Sequence, residues 1–259
     1  MNILVTGASG FIGRNLVAAL KTHGDEHSIL ACSSTTPFEH IEEFCSSADF
    51  VYNLAGVMRP EDPEDFNRVN VDLVKNILHT LESHQNTCPV MLASSIQASL
   101  EGRFAGSAYG ASKKAAEQAV FEHAETTGAR ALVYRLTNTF GKGAHPDYCS
   151  VVATFCYHIA RNEPIRIDDP TALMHLLYVD DLTSELVRGL TGGENRMNEQ
   201  GVEDGFCHAE PVADITLQDL ATMLYTFKDA QDRDEIISPT PGSLKAKMLY
   251  TYRWYAYER

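Results

Sequence analysis

Tyr109-Gly110-Ala111-Ser112-Lys113 sets a phenol and an ammonium four residues apart at the start of a predicted helix, 108–126, and so on one helix face. A phenol with a pKa of about 10 shuttles protons poorly at neutral pH, but a neighbouring ammonium favours the phenolate and draws that value down. This is the pair that a carbonyl reduction needs. The spacing alone recurs by chance on exposed helices. Ser94-Ser95, one loop upstream at the end of a predicted strand (Val90–Ala93), strengthens it. A serine there faces the crevice where open α/β sheets hold ligands, and it can hydrogen-bond a substrate oxygen. Ser95, Tyr109 and Lys113 are therefore the candidate catalytic residues.

A second constellation lies at the N-terminus. Gly7-Ala8-Ser9-Gly10-Phe11-Ile12-Gly13 follows a predicted strand, Asn2–Thr6, and opens a predicted helix, 11–22. In that context glycines permit a tight turn, close approach of a pyrophosphate and close packing of helix on sheet, with phosphate at the helix N-terminus. Gly7, Ser9, Gly10, Phe11, Ile12 and Gly13 are assigned to a dinucleotide on this basis. A site for NAD commonly carries Asp or Glu after the second strand. Here the stretch reads Ala31-Cys32-Ser33-Ser34-Thr35-Thr36. It has no carboxylate to repel a 2′-phosphate and several hydroxyls to bond one, so Ser33 and Ser34 favour NADP, with NAD the alternative. Arg14 either assists at the phosphate or is a solvated helix residue. Lys113 can also hold the ribose hydroxyls of the nicotinamide half.

Composition narrows the partners. The 259 residues carry a net charge of −14, which repels nucleic acid and anionic membranes at long range. No apolar run approaches the roughly 18 residues that cross a bilayer, and the N-terminus lacks a secretory pattern, so a cytoplasmic protein is expected. The six cysteines are scattered without C-x-x-C pairs and read as reduced thiols that mostly pack. Cys149 and Cys156, with His145 before them, would need further ligands to hold a metal, and none is assigned. Asp168-Asp169 before Pro170 reads as a solvated turn.

The elements that must position these groups alternate as β-α-β. Strands are expected at Asn2–Thr6, Ser28–Cys32, Phe50–Leu54, Val90–Ala93, Arg130–Leu136 and a late one ending at Tyr178-Val179. Helices are expected near 11–22, 64–83, 108–126, 150–161, 181–190 and 216–228, and Lys245–Tyr257 reads as an aromatic helix that packs on something. The fold class is α/β, a Rossmann doubly wound parallel sheet with a small C-terminal substrate-binding lobe. The dinucleotide domain is expected to span 1–145 plus about 172–190, and the lobe about 146–171 and 191–259. Only 17 residues separate Cys32 from Phe50, too few for the usual helix, strand and loop, so the third strand is expected to be missing.

Thr6–Gly13, Asn53-Leu54-Ala55-Gly56, Asn70-Val71, Ser94-Ser95, Tyr109–Lys113, Arg135–Gly141 and Tyr178-Val179-Asp180-Asp181 occur in the order of the extended short-chain dehydrogenases/reductases that act on nucleotide-sugars, and the chain resembles that family nearly throughout. Ser94–Gln97, Ser150–Tyr157, Ile159–Glu163 and Leu217–Lys228 resemble more closely the capsular-polysaccharide reductases that make precursors of UDP-N-acetyl-L-fucosamine. The resemblance implies Ser95, Tyr109 and Lys113 as catalytic, Leu54, Ala55 and Gly56 along the cofactor, and Asn138 with the 145–170 segment, including His145 and Arg166, near a UDP-sugar. It also implies a two-fold homodimer through helices 64–83 and 108–126. Three departures stand out: the adenine-binding Asp of the third strand is not expected, Leu173-Met174-His175 stands where many members have a phosphate-binding Arg, and no cupin domain is expected within these residues. An NADP-dependent reductase of a UDP-linked 4-keto-6-deoxy sugar is the expected activity. A nucleotide-sugar 4-epimerase with retained NAD and a non-catalytic dinucleotide sensor are its rivals. A 4,6-dehydratase fits less well, because Ile96-Gln97 rather than carboxylates follow Ser95.

Overall fold

The computed structural model describes residues 1–22 and 27–257; Glu258 and Arg259, within the expected lobe, lie outside them. The chain divides into two compact units, one of Met1–Leu136 with Thr183–Ala209 and one of Thr137–Leu182 with Glu210–Arg259.

The first unit is built on a parallel sheet of five strands in the order β2-β1-β3-β4-β5. These are β1 (Asn2–Thr6), β2 (Ser28–Ala31), β3 (Phe50–Asn53), β4 (Val90–Ser95) and β5 (Ala131–Leu136). Parallel strands covered on both faces read as unbroken apolar runs. Ile3-Leu4-Val5 and Phe50-Val51-Tyr52 are accordingly buried throughout. The unit's helices are α1 (Phe11–Thr22), α2 (Phe38–Cys45), α3 (Asp65–Asn67), α4 (Leu73–Ser83) and α5 (Ala108–Thr127), with a π turn over Arg68–Asp72 joining α3 to α4. Ile41 and Cys45 of α2, Val74, Ile77, Leu78 and Leu81 of α4, and Ala116 and Val120 of α5 close one core with Leu4, Val51, Leu92 and Val133 of the sheet. Cys32 and Cys88 lie in that core too. Burial pushes the Cys45 thiol up to about 11 and the Cys88 thiol up to about 12. These thiols act as small apolar groups.

Only α2 stands between β2 and β3, and the sheet stops at β2. The outermost strand of the six-stranded doubly wound order is thus absent, as the short Cys32–Phe50 spacing implies.

The second unit holds β6 (Asn138–Phe140), α6 (Val151–Ala160), β7 (Leu173–Tyr178), the start of α7 (Val179–Gly189), β8 (Val212–Thr216), α8 (Leu217–Asp232) and α9 (Leu244–Tyr257). β7 pairs in parallel with β6 and antiparallel with β8, so its ladder is satisfied on both sides within a three-stranded sheet of its own. The late strand assigned from sequence to the dinucleotide domain therefore falls in the second unit. The reverse holds for the segment before Ala209, assigned from sequence to the lobe. The Cys207 N–H bonds to the Val133 carbonyl at 2.8 Å and the Arg196 guanidinium to the Ala131 carbonyl at 3.0 Å, covering the open edge of β5. The aromatic helix α9 packs within its own unit. Tyr252 meets Phe227 of α8 at 6.0 Å between ring centroids, and the Tyr255 hydroxyl donates to the Ala144 carbonyl at 2.6 Å. No described helix is long and apolar enough to cross a membrane.

Candidate active site

The glycine turn is packed to the limit of backbone contact. A Cβ on Gly13 would sit 2.2 Å from the Gly7 carbonyl oxygen, and one on Gly7, whose φ is +65°, would sit 2.7 Å from the Ala55 nitrogen. Both positions exclude any side chain, and together they press the turn against the Leu54-Ala55 backbone that leaves β3. Gly10 differs: the one heavy atom near its Cβ position is the Gly7 oxygen at 3.1 Å. Its bareness opens the turn outward, where a ligand's phosphate needs to approach. The turn is tied down by Ala8 N–H donating to the Cys32 carbonyl at 2.9 Å, and by Thr6, whose hydroxyl donates to Asn53 Oδ1 at 2.8 Å and accepts from Ala55 N–H at 3.2 Å. Arg14 folds back so that its guanidinium donates to the Ser9 carbonyl at 3.0 Å. After β2, Ser33 and Thr36 close a polar turn: Ser33 N–H bonds to Thr36 Oγ1 at 3.0 Å, while the Ser33 and Thr35 hydroxyls bond each other at 2.9 Å. Ser34 is exposed. The first N–H groups of α1 have no carbonyl within the helix to bond, and with bare Gly10 beside them they fit a dinucleotide pyrophosphate.

Ser95, Tyr109 and Lys113 are brought together by one junction. Ser95 ends β4 and its Oγ accepts from Gln97 N–H at 3.2 Å, starting the 3₁₀ turn Ile96–Ser99. Ser107 then caps α5 by accepting from Gly110 N–H at 2.9 Å, and its own hydroxyl donates to Gln97 Oε1 at 3.0 Å. A Cβ on Gly110 would lie 2.3 Å from the Gln97 carbonyl oxygen. The glycine after Tyr109 is thus what lets the first turn of α5 reach the turn that carries Ser95. Lys113, 4 % exposed, donates to the Ala93 carbonyl at 2.9 Å, and its Nζ lies 6.0 Å from the centre of the Tyr109 ring. Burial lowers the lysine to about 8, against the opposing pull of the Glu117 carboxylate. Gly56 lies against this lysine, with its Cβ position 2.9 Å from Nζ, which links the 54–56 segment to the Lys113 ammonium.

Two further residues of this region escaped the sequence reading of the site. Asn70, buried in the π turn, accepts from Val57 N–H at 2.8 Å and donates to the Val57 carbonyl and the Ser112 hydroxyl, each at 2.9 Å. It pins the chain after Gly56 to α5; a π turn breaking an apolar helical pattern is a known marker of functional sites, but one not legible in spacing. Glu117, 3 % exposed, accepts from the Ser94 hydroxyl and from the guanidinium of half-buried Arg135. A carboxylate on the apolar face of a helix, four residues after Lys113, was the available signal.

The three residues assigned to substrate lie in the second unit and do not bond one another. Asn138 reaches the His175 carbonyl at 3.5 Å, His145 Nδ1 lies 2.6 Å from the Pro146 oxygen, and Arg166 pairs with Asp168 at 2.6 Å. Asp169 accepts from the backbone and hydroxyl of Thr171, which makes Asp168-Asp169 a turn. Cys149 is exposed and Cys156 buried, so the two do not share surroundings.

The family model for the NAD dependent epimerase/dehydratase family matches residues 3–198. The UDP-2-acetamido-2,6-beta-L-arabino-hexul-4-ose reductase of Pseudomonas aeruginosa strain PA103 is 34% identical over 252 residues, 97% of this chain and 63% of that protein. The capsular polysaccharide assembling protein CapF of Staphylococcus aureus superposes with a TM-score of 0.84 at 35% identity, over 98% of this chain and 65% of that one. RMD of Pseudomonas aeruginosa, solved with NADPH, superposes with a TM-score of 0.74 at 20% identity over 99% of this chain and 100% of that one, a likeness of fold alone. The chain thus spans slightly under two thirds of the length of the first two relatives. With the five-stranded parallel sheet, the glycine turn opening α1 and the family match over most of the chain, the protein belongs to the NAD dependent epimerase/dehydratase family.

Proposed function

We propose that the chain is an NADP-dependent reductase of a UDP-linked 4-keto-6-deoxy sugar, working in the synthesis of surface-polysaccharide precursors. The observation that carries this reading is the buried Lys113 beside Tyr109, on a helix seated against the turn that carries Ser95. The resemblance to a P. aeruginosa reductase of a UDP-linked hexul-4-ose supports the substrate class.

A bound nicotinamide dinucleotide supplies the hydride. Gly7, Gly10 and Gly13 admit its pyrophosphate to the N–H groups that open α1, with Ser9, Phe11 and Ile12 in the same turn and Leu54, Ala55 and Gly56 alongside. Ser95 donates a hydrogen bond to the keto oxygen of the sugar and polarises it. Tyr109 gives that oxygen its proton, and the Lys113 ammonium steadies the phenolate left behind. Lys113 also holds ribose hydroxyls. The polar turn at Ser33 and Ser34, free of carboxylates, and the guanidinium of Arg14 favour a 2′-phosphate and therefore NADP over NAD. Asn138, His145 and Arg166 of the second unit take the UDP-sugar. The protein works in the cytoplasm as a two-fold homodimer through α4 and α5, and the α5 alanines Ala115 and Ala119 suit close helix approach.

Absorbance at 340 nm with a panel of 4-keto nucleotide-sugars tests the reading. Consumption of NADPH with a UDP-linked 4-keto-6-deoxy sugar, faster than with NADH, is expected. Interconversion of 4-hydroxy sugars without net consumption of either dinucleotide would replace it with the epimerase reading.

A further inference from the structure

Lys113 is a buried cation, and burial alone would strip its proton. The reductase reading needs it charged, so something inside the fold must offset its desolvation. Along α5, residues 109, 113 and 117 recur at four-residue spacing and share one helical face. That face lies on β4, and the two elements are joined residue by residue. The Ala93 carbonyl takes the Lys113 ammonium at 2.9 Å, and Ser94 Oγ donates to Glu117 Oε1 at 2.5 Å. Arg135 of β5 then donates from Nε to Oε1 at 2.9 Å and from Nη2 to Oε2 at 2.7 Å, holding the carboxylate in a bidentate grip.

We propose that Glu117 is a positioning residue for the reaction: its buried carboxylate keeps Lys113 in the ammonium form and, through Ser94, holds the end of β4 that presents Ser95. This inference rests on the reductase reading only for the use made of Lys113. The remaining charged groups on elements packed against α5 are occupied or turned outward. Asp65 pairs with Arg68, Glu82 bonds His123, and Asp72, Lys75 and His79 are exposed. β4 and the 3₁₀ turn carry no ionisable side chain apart from hydroxyls. Arg135 also stacks over Phe206 with 4.0 Å to the ring centre, so Glu117 has one cation bonded to it and a second, Lys113, one turn earlier on its own helix face. Losing its charge would leave half-buried Arg135 and buried Lys113 without the carboxylate that offsets them. Arginine cannot release its proton there; lysine can.

The test is a direct titration of Lys113 by NMR, with ¹³C at the lysine Cε, on the full chain without substrate and with the resonance assigned by its loss in Lys113→Met. In Glu117→Gln the midpoint should fall by about one pH unit or more, a roughly tenfold weaker hold on the proton. In Glu117→Asp, which keeps the charge, it should stay within a few tenths of wild type. Should the lone Gln variant fail to fold, Glu117→Gln with Arg135→Met removes both members of the ion pair, a change that proteins tolerate better than loss of one. A smaller fall in the same direction is expected there. A midpoint unmoved or raised in either Gln variant would overturn the proposal, as would an Asp variant that falls as far as Gln. Failure of all three variants to fold would overturn it too, since the charge would then serve the fold and not Lys113. Because the titration uses no substrate, a failed reductase assay leaves it untouched, and an unmoved Lys113 in an active reductase would count against Glu117 alone.

Discussion

In the first unit the candidate residues are bonded into the scaffold: Lys113 to a β4 carbonyl, Ser95 to the N–H of Gln97, and Gly10 N–H to the Gly7 carbonyl. In the second unit the candidates are loosely held. The Asn138 side chain makes one bond, at 3.5 Å, His145 bonds to the residue next to it, and the Arg166 side chain is 88% exposed, with a partner two residues away. Groups that move protons need positions set to within a fraction of an ångström, whereas groups that recognise a polar ligand can close on it when it arrives. On this reading the first unit governs turnover and dinucleotide binding, and the second governs affinity for the sugar substrate.

Substitutions can break that division. Tyr109→Phe removes the assigned proton donor, and turnover should fall by roughly 10²–10⁴-fold with dinucleotide affinity unchanged by fluorescence titration. Near-wild-type turnover would show that another group gives the proton. Next in size come the glycines. Gly13→Ala drives a methyl to within 2.2 Å of the Gly7 oxygen and should lower both the melting temperature and dinucleotide binding. Gly10→Ala, whose new carbon meets only a 3.1 Å contact, should lose binding with the melting temperature retained. Equal effects of the two on stability would contradict the outward-opening turn. A smaller effect is expected from pH. Lys113 is charged below about 8 and loses its charge as pH rises through that value, so the catalytic rate should decline on the alkaline side, by up to about tenfold per unit. A flat profile to pH 10 would show that the ammonium is not needed. Arg166→Ala should be the mildest. Its exposed pair with Asp168 contributes little to stability, so KM for the UDP-sugar should rise by about tenfold or less with kcat and melting temperature unchanged. A fall in kcat instead would move Arg166 to the turnover side of the comparison.

The same contrast separates what could be read from the residues from what could not. The glycine turn, α1 and the Tyr109–Lys113 helix are local patterns, and they form with the expected bounds to within a residue. The helix expected over 64–83 is present, but a π turn at Arg68–Asp72 interrupts it, because Asn70 bonds sideways to Val57 and Ser112. β6 and β8 are strands that the residue pattern does not announce. The first has three residues, and the second begins after Pro211 without a clear alternation, so neither carries a strand signature of its own. β7 was foreseen, but not its sheet, since pairing partners far apart in sequence decide that. Glu117 reads in sequence as a solvated helix charge, and only the fold surrounds it with Ser94 and Arg135. Asn138, His145 and Arg166 came from resemblance alone, and their local contacts neither group them nor set them apart from other polar residues of the second unit.

The most direct test of the central claim follows the hydride itself. The protein is incubated with NADPH deuterated at the transferring C4 position and a UDP-linked 4-keto-6-deoxy sugar, and the product is read by NMR. Deuterium at C4 of the sugar, at a rate that collapses in Tyr109→Phe, is the predicted result. A sugar returned without deuterium while the dinucleotide stays reduced, or a changed sugar with no dinucleotide consumed, would contradict the account.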